Sequence, residues 1–210
     1  MTSRRVTVGI VLFDDVEVLD FSGPFEVFSV TRLDQERHRE DPSPFEPLLV
    51  ARSAQLVTTT GGMRVEPHTT FARCPPLEVL VVPGGWGTRT AMNDTATISF
   101  VKERAAQVGK LTSVCTGSLV LGQAGLLDGK RATTHWGALD LMAQLFPAVH
   151  VDRRLHVVED GNVITSAGIS AGIDMALTVV ARHCGEHVAR ETARYMEYPY
   201  PESLARRVAI

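Results

Sequence analysis

A buried strand turns directly into a helix in residues 110–127, KLTSVCTGSLVLGQAGLL. The segment KLTSVC has strand character, and the residues after it form a helix rich in small and apolar side chains. Cys115 stands at the junction, and Thr116-Gly117-Ser118 completes the turn. A nucleophile on such a turn is exposed at the edge of the sheet, like the serine of an α/β-hydrolase elbow. The segment therefore predicts an α/β fold and makes Cys115 a candidate nucleophile.

Strands and helices alternate on both sides of this segment. Strands are predicted at residues 5–13, 45–51, 77–85 and 131–134, and β-hairpins at 56–67 and 155–167. Helices are predicted to begin at Ser22-Gly23-Pro24, at Asp94 for about 15 residues and near Trp136. A long helical region covers residues 170–195 and is interrupted near Gly185. This alternation predicts one domain over residues 1–210, an α/β sandwich with helices on both faces of a mostly parallel sheet.

Composition and charge argue against several classes of protein. The chain has 210 residues and a net charge of -3, whereas a nucleic-acid-binding surface is usually basic. It has no apolar run long enough to span a membrane, and acidic residues from position 14 interrupt the apolar stretch that a signal peptide would need. Three cysteines, at 74, 115 and 184, argue against a disulfide framework and favour a reducing, cytoplasmic location.

Three strand ends are expected at one edge of the sheet: Asp20, which we place in the loop before the first helix, the Pro83-Gly84-Gly85 turn, and Cys115. The N-terminus of the following helix favours the thiolate form of Cys115. The N–H of Thr116 and one from the Gly84-Gly85 turn are suited to an oxyanion hole. Local sequence leaves plainer roles open, because Cys115 is equally a small buried residue and Asp20 a helix cap or a solvated loop residue.

Four segments of the chain resemble the ThiJ/PfpI superfamily, and most of all its isonitrile hydratase branch. They are LDFSGPFEVF (19–28), VVPGGWGT (81–88), TSVCTGSLVLGQAGLLDGKRATTHW (112–136) and TSAGISAGIDMALTVVA (165–181). The resemblance extends over about residues 5–200, and the third segment is long enough to be specific. It implies a flavodoxin-like sandwich, usually a homodimer, with an elbow cysteine and an acidic partner from the first strand–helix loop.

The resemblance also implies a reaction and the residues that perform it. Asp20 has the LD-(L/F)-(T/S)-G-P context of the hydratase branch, whereas many other branches use a glutamate in a different segment. By resemblance, Cys115 is the nucleophile and Asp20 its hydrogen-bond partner and proton donor, in the hydration of an isonitrile to an N-formamide through a covalent thioimidate. By the same resemblance, the backbone N–H groups of Thr116 and Gly85 form the oxyanion hole. Gly84, His135 and Ile169 are expected in the pocket.

Other interpretations remain open at the level of the sequence. A similar domain serves as the ligand-sensing part of AraC-type transcriptional regulators, ahead of a DNA-binding segment for which this sequence leaves no room. A glyoxalase-like thiol enzyme is the other alternative. A role for His135 as base is less favoured than a structural one. His183, Cys184 and His187 have a spacing that a metal site uses, but their neighbours favour a solvated helix face. We expect a small-molecule substrate and neither cofactor, metal, nucleic acid nor membrane partner.

Overall fold

The structure, a computed structural model, describes residues 4–208. Its strands are β1 (Val6–Leu12), β2 (Phe45–Ala51), β3 (Val57–Thr58), β4 (Arg64–Val65), β5 (Thr69–Thr70), β6 (Val79–Val82), β7 (Lys110–Ser113), β8 (Arg131–Ala132), β9 (His150–Val151), β10 (Val157–Asp160) and β11 (Val163–Ser166). Its α-helices are α1 (Val18–Val30), α2 (Thr88–Ala91), α3 (Thr95–Ala105), α4 (Gly117–Gln123), α5 (Leu139–Leu145), α6 (Ala171–Cys184) and α7 (Glu186–Tyr195).

The central sheet has the strand order β10-β11-β7-β6-β1-β2-β5. All neighbouring strands are parallel except β10, which forms an antiparallel hairpin with β11. In a parallel sheet the strands are hydrophobic along their length because helices cover both faces. The carboxyl ends of β1, β6 and β7 therefore meet at one edge, where α1, α2 and α4 follow them.

Each face of the sheet carries its own apolar core. On one face Ile10 packs with Phe28 of α1 and Met175 of α6, all fully buried. On the other face Leu80 packs with Phe100 of α3 and Leu119 of α4. Each large apolar side chain buried in this way contributes about 1.5–3 kcal/mol to the hydrophobic stabilisation. The predicted flavodoxin-like sandwich with a mostly parallel sheet is confirmed. No helix within residues 4–208 has both the length and the apolar character needed to cross a membrane.

The predicted start of the first helix is wrong. Helix α1 begins at Val18, four residues before Ser22-Gly23-Pro24. Ser22 does not cap the helix, since its hydroxyl donates to the carbonyl of Val18 one turn earlier. Pro24 lies inside the helix, and because proline has no N–H, the carbonyl of Asp20 does not receive the usual helical hydrogen bond from it. Because Phe21 is buried in the core, the helix begins before the Ser-Gly-Pro segment. Asp20 therefore lies in the first turn of α1 rather than in a loop.

Other predicted elements agree in kind and differ in extent. Asp94 caps α3 by accepting a hydrogen bond from the N–H of Thr97 (3.0 Å), but α3 has 11 residues instead of about 15. The strand predicted at 131–134 is the two-residue β8, outside the central sheet, and a 3-10 turn at Trp136–Ala138 precedes α5. The hairpins at 56–67 and 155–167 and the break at Gly185 are confirmed. The short helix α2 was not predicted.

Candidate functional site

Cys115 lies between β7 and α4 with a φ of +55°, a conformation that is costly for any residue with a side chain. Hydrogen bonds from separate parts of the chain hold it. Its N–H donates to the carbonyls of Ser166 and Ala167 at the end of β11 (3.1 Å each). Its carbonyl accepts from the hydroxyls of Ser118 (3.2 Å) and Thr134 (2.9 Å). The structure thus places Cys115 on a strained, well-anchored elbow.

Two glycines make this turn possible. A Cβ atom on Gly117 would overlap the carbonyl oxygen of Val82, so α4 can start this close to β6 only without a side chain there. A Cβ atom on Gly84 would lie 2.6 Å from the backbone nitrogen of Thr116 and 2.8 Å from both Asp20 Oδ2 and the Cβ of Cys115. Gly84 therefore lies between the carboxyl and the cysteine, in a space with no room for a methyl group.

Gly84→Ala is expected to displace this arrangement and to destabilise the protein by about 1–3 kcal/mol, because the added methyl group meets backbone on one side. Gly109→Ala is the matched control, since its nearest atom would be the carbonyl of Glu78 at 3.6 Å. Urea unfolding of both variants measures the difference. Equal stability of Gly84→Ala and the wild type would contradict the tight packing described here.

Asp20 is fully buried in the first turn of α1. Its Oδ2 accepts a hydrogen bond from the N–H of Gly84 (2.9 Å), whereas its Oδ1 has no hydrogen-bond partner within residues 4–208. Burial, together with the nearby charge of Glu17, raises the pKa of Asp20 to about 7, against the opposing effect of the Gly84 N–H and the Cys115 thiol. Near neutral pH the Asp20 carboxyl therefore exchanges its proton readily.

The Cys115 thiol is protonated at neutral pH. Burial and the charge of Asp20 raise its pKa to about 12, although the N–H and hydroxyl of Thr116 favour the thiolate. The N-terminus of α4 thus favours the thiolate, as expected, but burial and the charge of Asp20 oppose it. A helix dipole contributes about 0.3–1 kcal/mol, which is less than the several kcal/mol that burial of a charged group typically costs. Asp20 and Cys115 form a coupled pair, and at a pH between their two pKa values the pair carries one proton.

The two N–H groups assigned to an oxyanion hole have different surroundings. The N–H of Gly85 donates to the hydroxyl of Thr116 (3.1 Å), and that hydroxyl also donates to the carbonyl of Gly85 (3.2 Å). The N–H of Thr116 interacts with the sulfur of Cys115. Thr116 is thus directed at the nucleophile, while an anion would have to displace the Thr116 hydroxyl to bind Gly85.

A cavity of about 470 Å³ opens above Cys115. It is lined by Glu17, Gly85, Trp86, Arg89, Cys115, Thr116, His135, Trp136, Gly137, Ala138 and Ile169. Of the three residues predicted for the pocket, His135 and Ile169 line the cavity, and Gly84 does not. Ile169 has a φ of +54°, an unusual value for a β-branched residue, at the entrance to the cavity. Asp20, which is fully buried, does not line the cavity.

His135 is a neutral packing residue at the edge of the cavity. Burial and the charge of Arg206 hold the pKa of its ring below the usual value, while Glu17 opposes them. Its Nδ1 accepts a hydrogen bond from the N–H of Gly137 (3.2 Å), and its ring lies where a Cβ of Gly168 would be. Its ring does not hydrogen-bond to Cys115 within the described chain, which favours the structural interpretation over a Cys-His pair.

Glu17 and Arg89 were missed by the sequence reasoning. Glu17 is the residue before α1, three positions ahead of Asp20, and a correct helix start would have placed both carboxyls at the N-terminal end of α1. Arg89 lies in α2, the helix that was not predicted.

The spacing of His183, Cys184 and His187 raised the question of a metal site. In α6 the ring of His183 forms a hydrogen bond with the carbonyl of Val179. Residues 4–208 contain no group of three or more side chains suited to a metal ion.

Fold and site together define a flavodoxin-like α/β protein with a cysteine on its strand-to-helix elbow and a buried carboxyl beside it. Residues 6–182 match the DJ-1/PfpI family, and the chain belongs to that family. The resemblance to ThiJ/PfpI proteins is thereby confirmed. A solved structure of a ThiJ/PfpI family protein from Pseudomonas syringae has a TM-score of 0.81 at 35% identity, over 95% of this chain and 78% of that one.

Among curated proteins, the chain is 44% identical to isonitrile hydratase of Pseudomonas putida over 191 residues, 91% of this chain and 78% of the relative. It is also 32% identical to the transcriptional regulator GbdR of Pseudomonas aeruginosa over 142 residues. That match covers 68% of this chain but 38% of the regulator. The similarity to isonitrile hydratase thus extends over more of both chains and supports a hydratase-like function.

Proposed function

We propose that this protein hydrates isonitriles to N-formamides, with Cys115 as nucleophile and Asp20 as the group that takes up and returns its proton. The observation that carries the proposal is the buried carboxyl–thiol pair at the floor of a cavity large enough for a small organic molecule. The 44% identity to an isonitrile hydratase supports the choice of substrate.

The first step forms a carbon–sulfur bond. The isonitrile carbon is electrophilic, and the Cys115 sulfur attacks it as Asp20 accepts the thiol proton. Asp20 Oδ1 has no other protein partner and is the oxygen available to hold this proton. The proton then passes from Asp20 to the same carbon, which gives a thioimidate, R–N=CH–S–Cys115. At the end of this step Asp20 is again a carboxylate, and its Oδ2 accepts the hydrogen bond from the N–H of Gly84.

The second step consumes one water molecule. Water adds to the thioimidate carbon, and its second proton goes to the nitrogen. The carbon–sulfur bond of the resulting adduct breaks as Asp20 moves the hydroxyl proton to the leaving sulfur. The products are R–NH–CHO and the original thiol, so the sum is one isonitrile plus one water. The Thr116 N–H supports the departure of sulfur, because it favours the thiolate.

Activity is expected to fall as the pH drops through about 7, since protonated Asp20 cannot accept the thiol proton. At pH 6, kcat/KM should be about a tenth of its plateau value. Glu17→Gln should lower the pKa of Asp20, because the charge of Glu17 raises that pKa. The fall in kcat/KM should then occur at a lower pH than in the wild type. Glu26→Gln, exposed on the same helix, is the control. Identical pH profiles for all three proteins would contradict the role given to Glu17.

A substrate comparison tests the proposed function. Purified protein is incubated with an aryl isonitrile and, separately, with methylglyoxal, and products are identified by NMR. Formamide from the first compound and no lactate from the second is the expected result. Lactate without formamide would favour the glyoxalase-like alternative.

The ligand-sensing alternative is supported by the match to the regulator GbdR. It predicts that the protein binds a small molecule without converting it. Saturable binding of the isonitrile with no formamide above the buffer rate would favour sensing over catalysis. Multiple turnovers per protein molecule would exclude a sensing role as the sole activity.

A further inference from the structure

Arg89 is an arginine without an acidic partner in the wall of the cavity. Its guanidinium carbon lies 4.3 Å from the centre of the Trp86 ring, and both residues line the cavity above Cys115. Within residues 4–208, no carboxylate lies within 4 Å of this guanidinium, which also donates no hydrogen bond to the protein. Arg89 and Arg190 are both exposed, but Arg190 forms salt bridges with Glu186 and Glu202. The Trp86 ring orients Arg89 while leaving its donors unused.

The charges of the cavity are separated. Glu17 lies near the reactive end, where its charge acts on the pKa of both Asp20 and His135. Arg89 instead lies against the ring of Trp86, whose side chain is exposed at the wall of the cavity. A molecule bound with one end at Cys115 therefore meets negative charge at the reactive end and positive charge at the Arg89 end.

We propose that Arg89 and Trp86 form a subsite for a carboxylate on the substrate, so that the substrates this cavity favours are isonitriles with a flat apolar body and an acidic group at the opposite end. This inference rests on the proposed function and names the substrate class. A guanidinium binds a carboxylate through two parallel hydrogen bonds, and its unused donors are available for this. The exposed rings of Trp86 and Trp136 provide apolar surface for the body of the molecule.

The test compares 4-isocyanobenzoate with its methyl ester, which differ in charge and little in shape. The measured quantity is the ratio of kcat/KM for the acid to that for the ester. Wild type should prefer the acid, and Arg89→Gln should lower the ratio by about tenfold or more. Arg64→Gln, an exposed arginine on the β3–β4 hairpin, is the control and should keep the wild-type ratio. Because a ratio is measured, partial misfolding of a variant does not imitate the effect.

A wild-type ratio that Arg89→Gln leaves unchanged would overturn the proposed subsite. If neither compound is converted, the proposed function fails, and the subsite is judged from binding alone. Calorimetry then compares 4-formamidobenzoate with its methyl ester on wild type and Arg89→Gln. Tighter binding of the acid by the wild type only supports the subsite, and equal binding of acid and ester by the wild type overturns it.

Discussion

Replacing Cys115 by alanine is expected to abolish formamide production from an aryl isonitrile, with a loss of at least about 10⁴-fold in kcat. The sulfur is the group that bonds to the isonitrile carbon, and no other thiol faces the cavity in the described part of the chain. Steady-state kinetics with product detection by NMR measures the loss. The fold should persist, because the thiol is small and its removal costs about 1 kcal/mol.

Cys74→Ala and Cys184→Ala are the matched controls for this loss. Both cysteines lie away from the cavity, and the pKa of each thiol is raised by burial without a neighbouring carboxylate. Each variant should retain wild-type kcat. Wild-type activity in the Cys115→Ala protein, or an equal loss in a control variant, would contradict the assignment of the nucleophile.

Asp20→Asn is expected to lower kcat by about 10²–10⁴-fold and at the same time to stabilise the protein at alkaline pH. The amide cannot accept the thiol proton, which accounts for the lost activity. The gain in stability follows from the pKa of Asp20, which is about 7 in the folded protein and 3.8 ordinarily. The favourable contribution of protonated Asp20 is complete below pH 3.8 and is lost as the pH rises through 7.

At pH 8 the wild type therefore carries a penalty of up to about 4 kcal/mol for the buried carboxylate, and the asparagine variant does not. The asparagine oxygen keeps the hydrogen bond from Gly84, and its amide nitrogen replaces a carboxylate oxygen that has no partner within residues 4–208. Urea unfolding at pH 5 and pH 8 measures both proteins. A variant that is less stable than wild type at pH 8 and fully active would disprove the role of Asp20.

Local sequence was sufficient to place Cys115 but not Asp20. A strand followed directly by small residues and a helix defines the elbow, and this pattern lies in consecutive residues of β7, the turn and α4. The start of α1 depends on a contact that is distant in sequence. Phe21 packs into a core shared with α6, and this burial extends the helix past the Ser-Gly-Pro signal.

The protonation state of Cys115 could not be predicted from the sequence either. The helix N-terminus after Cys115 favours the thiolate, whereas an ionised Asp20 beside the sulfur raises the pKa of the thiol, and the sequence does not say which effect is larger. The opposing effects are burial and the charge of Asp20, which reaches the thiol only because β1 and β7 lie on either side of β6. Arg89 was missed for a similar reason, since a four-residue helix after a glycine turn has no periodic pattern to detect.

The covalent state of Cys115 during turnover tests the central claim most directly. The protein, in excess over an aryl isonitrile, is quenched with acid at successive times and its mass is measured, intact and after digestion. We predict a transient increase equal to the mass of one isonitrile, located on the peptide that contains Cys115 and decaying as formamide appears. Formamide release at the full rate with no adduct on that peptide at any time would contradict the account.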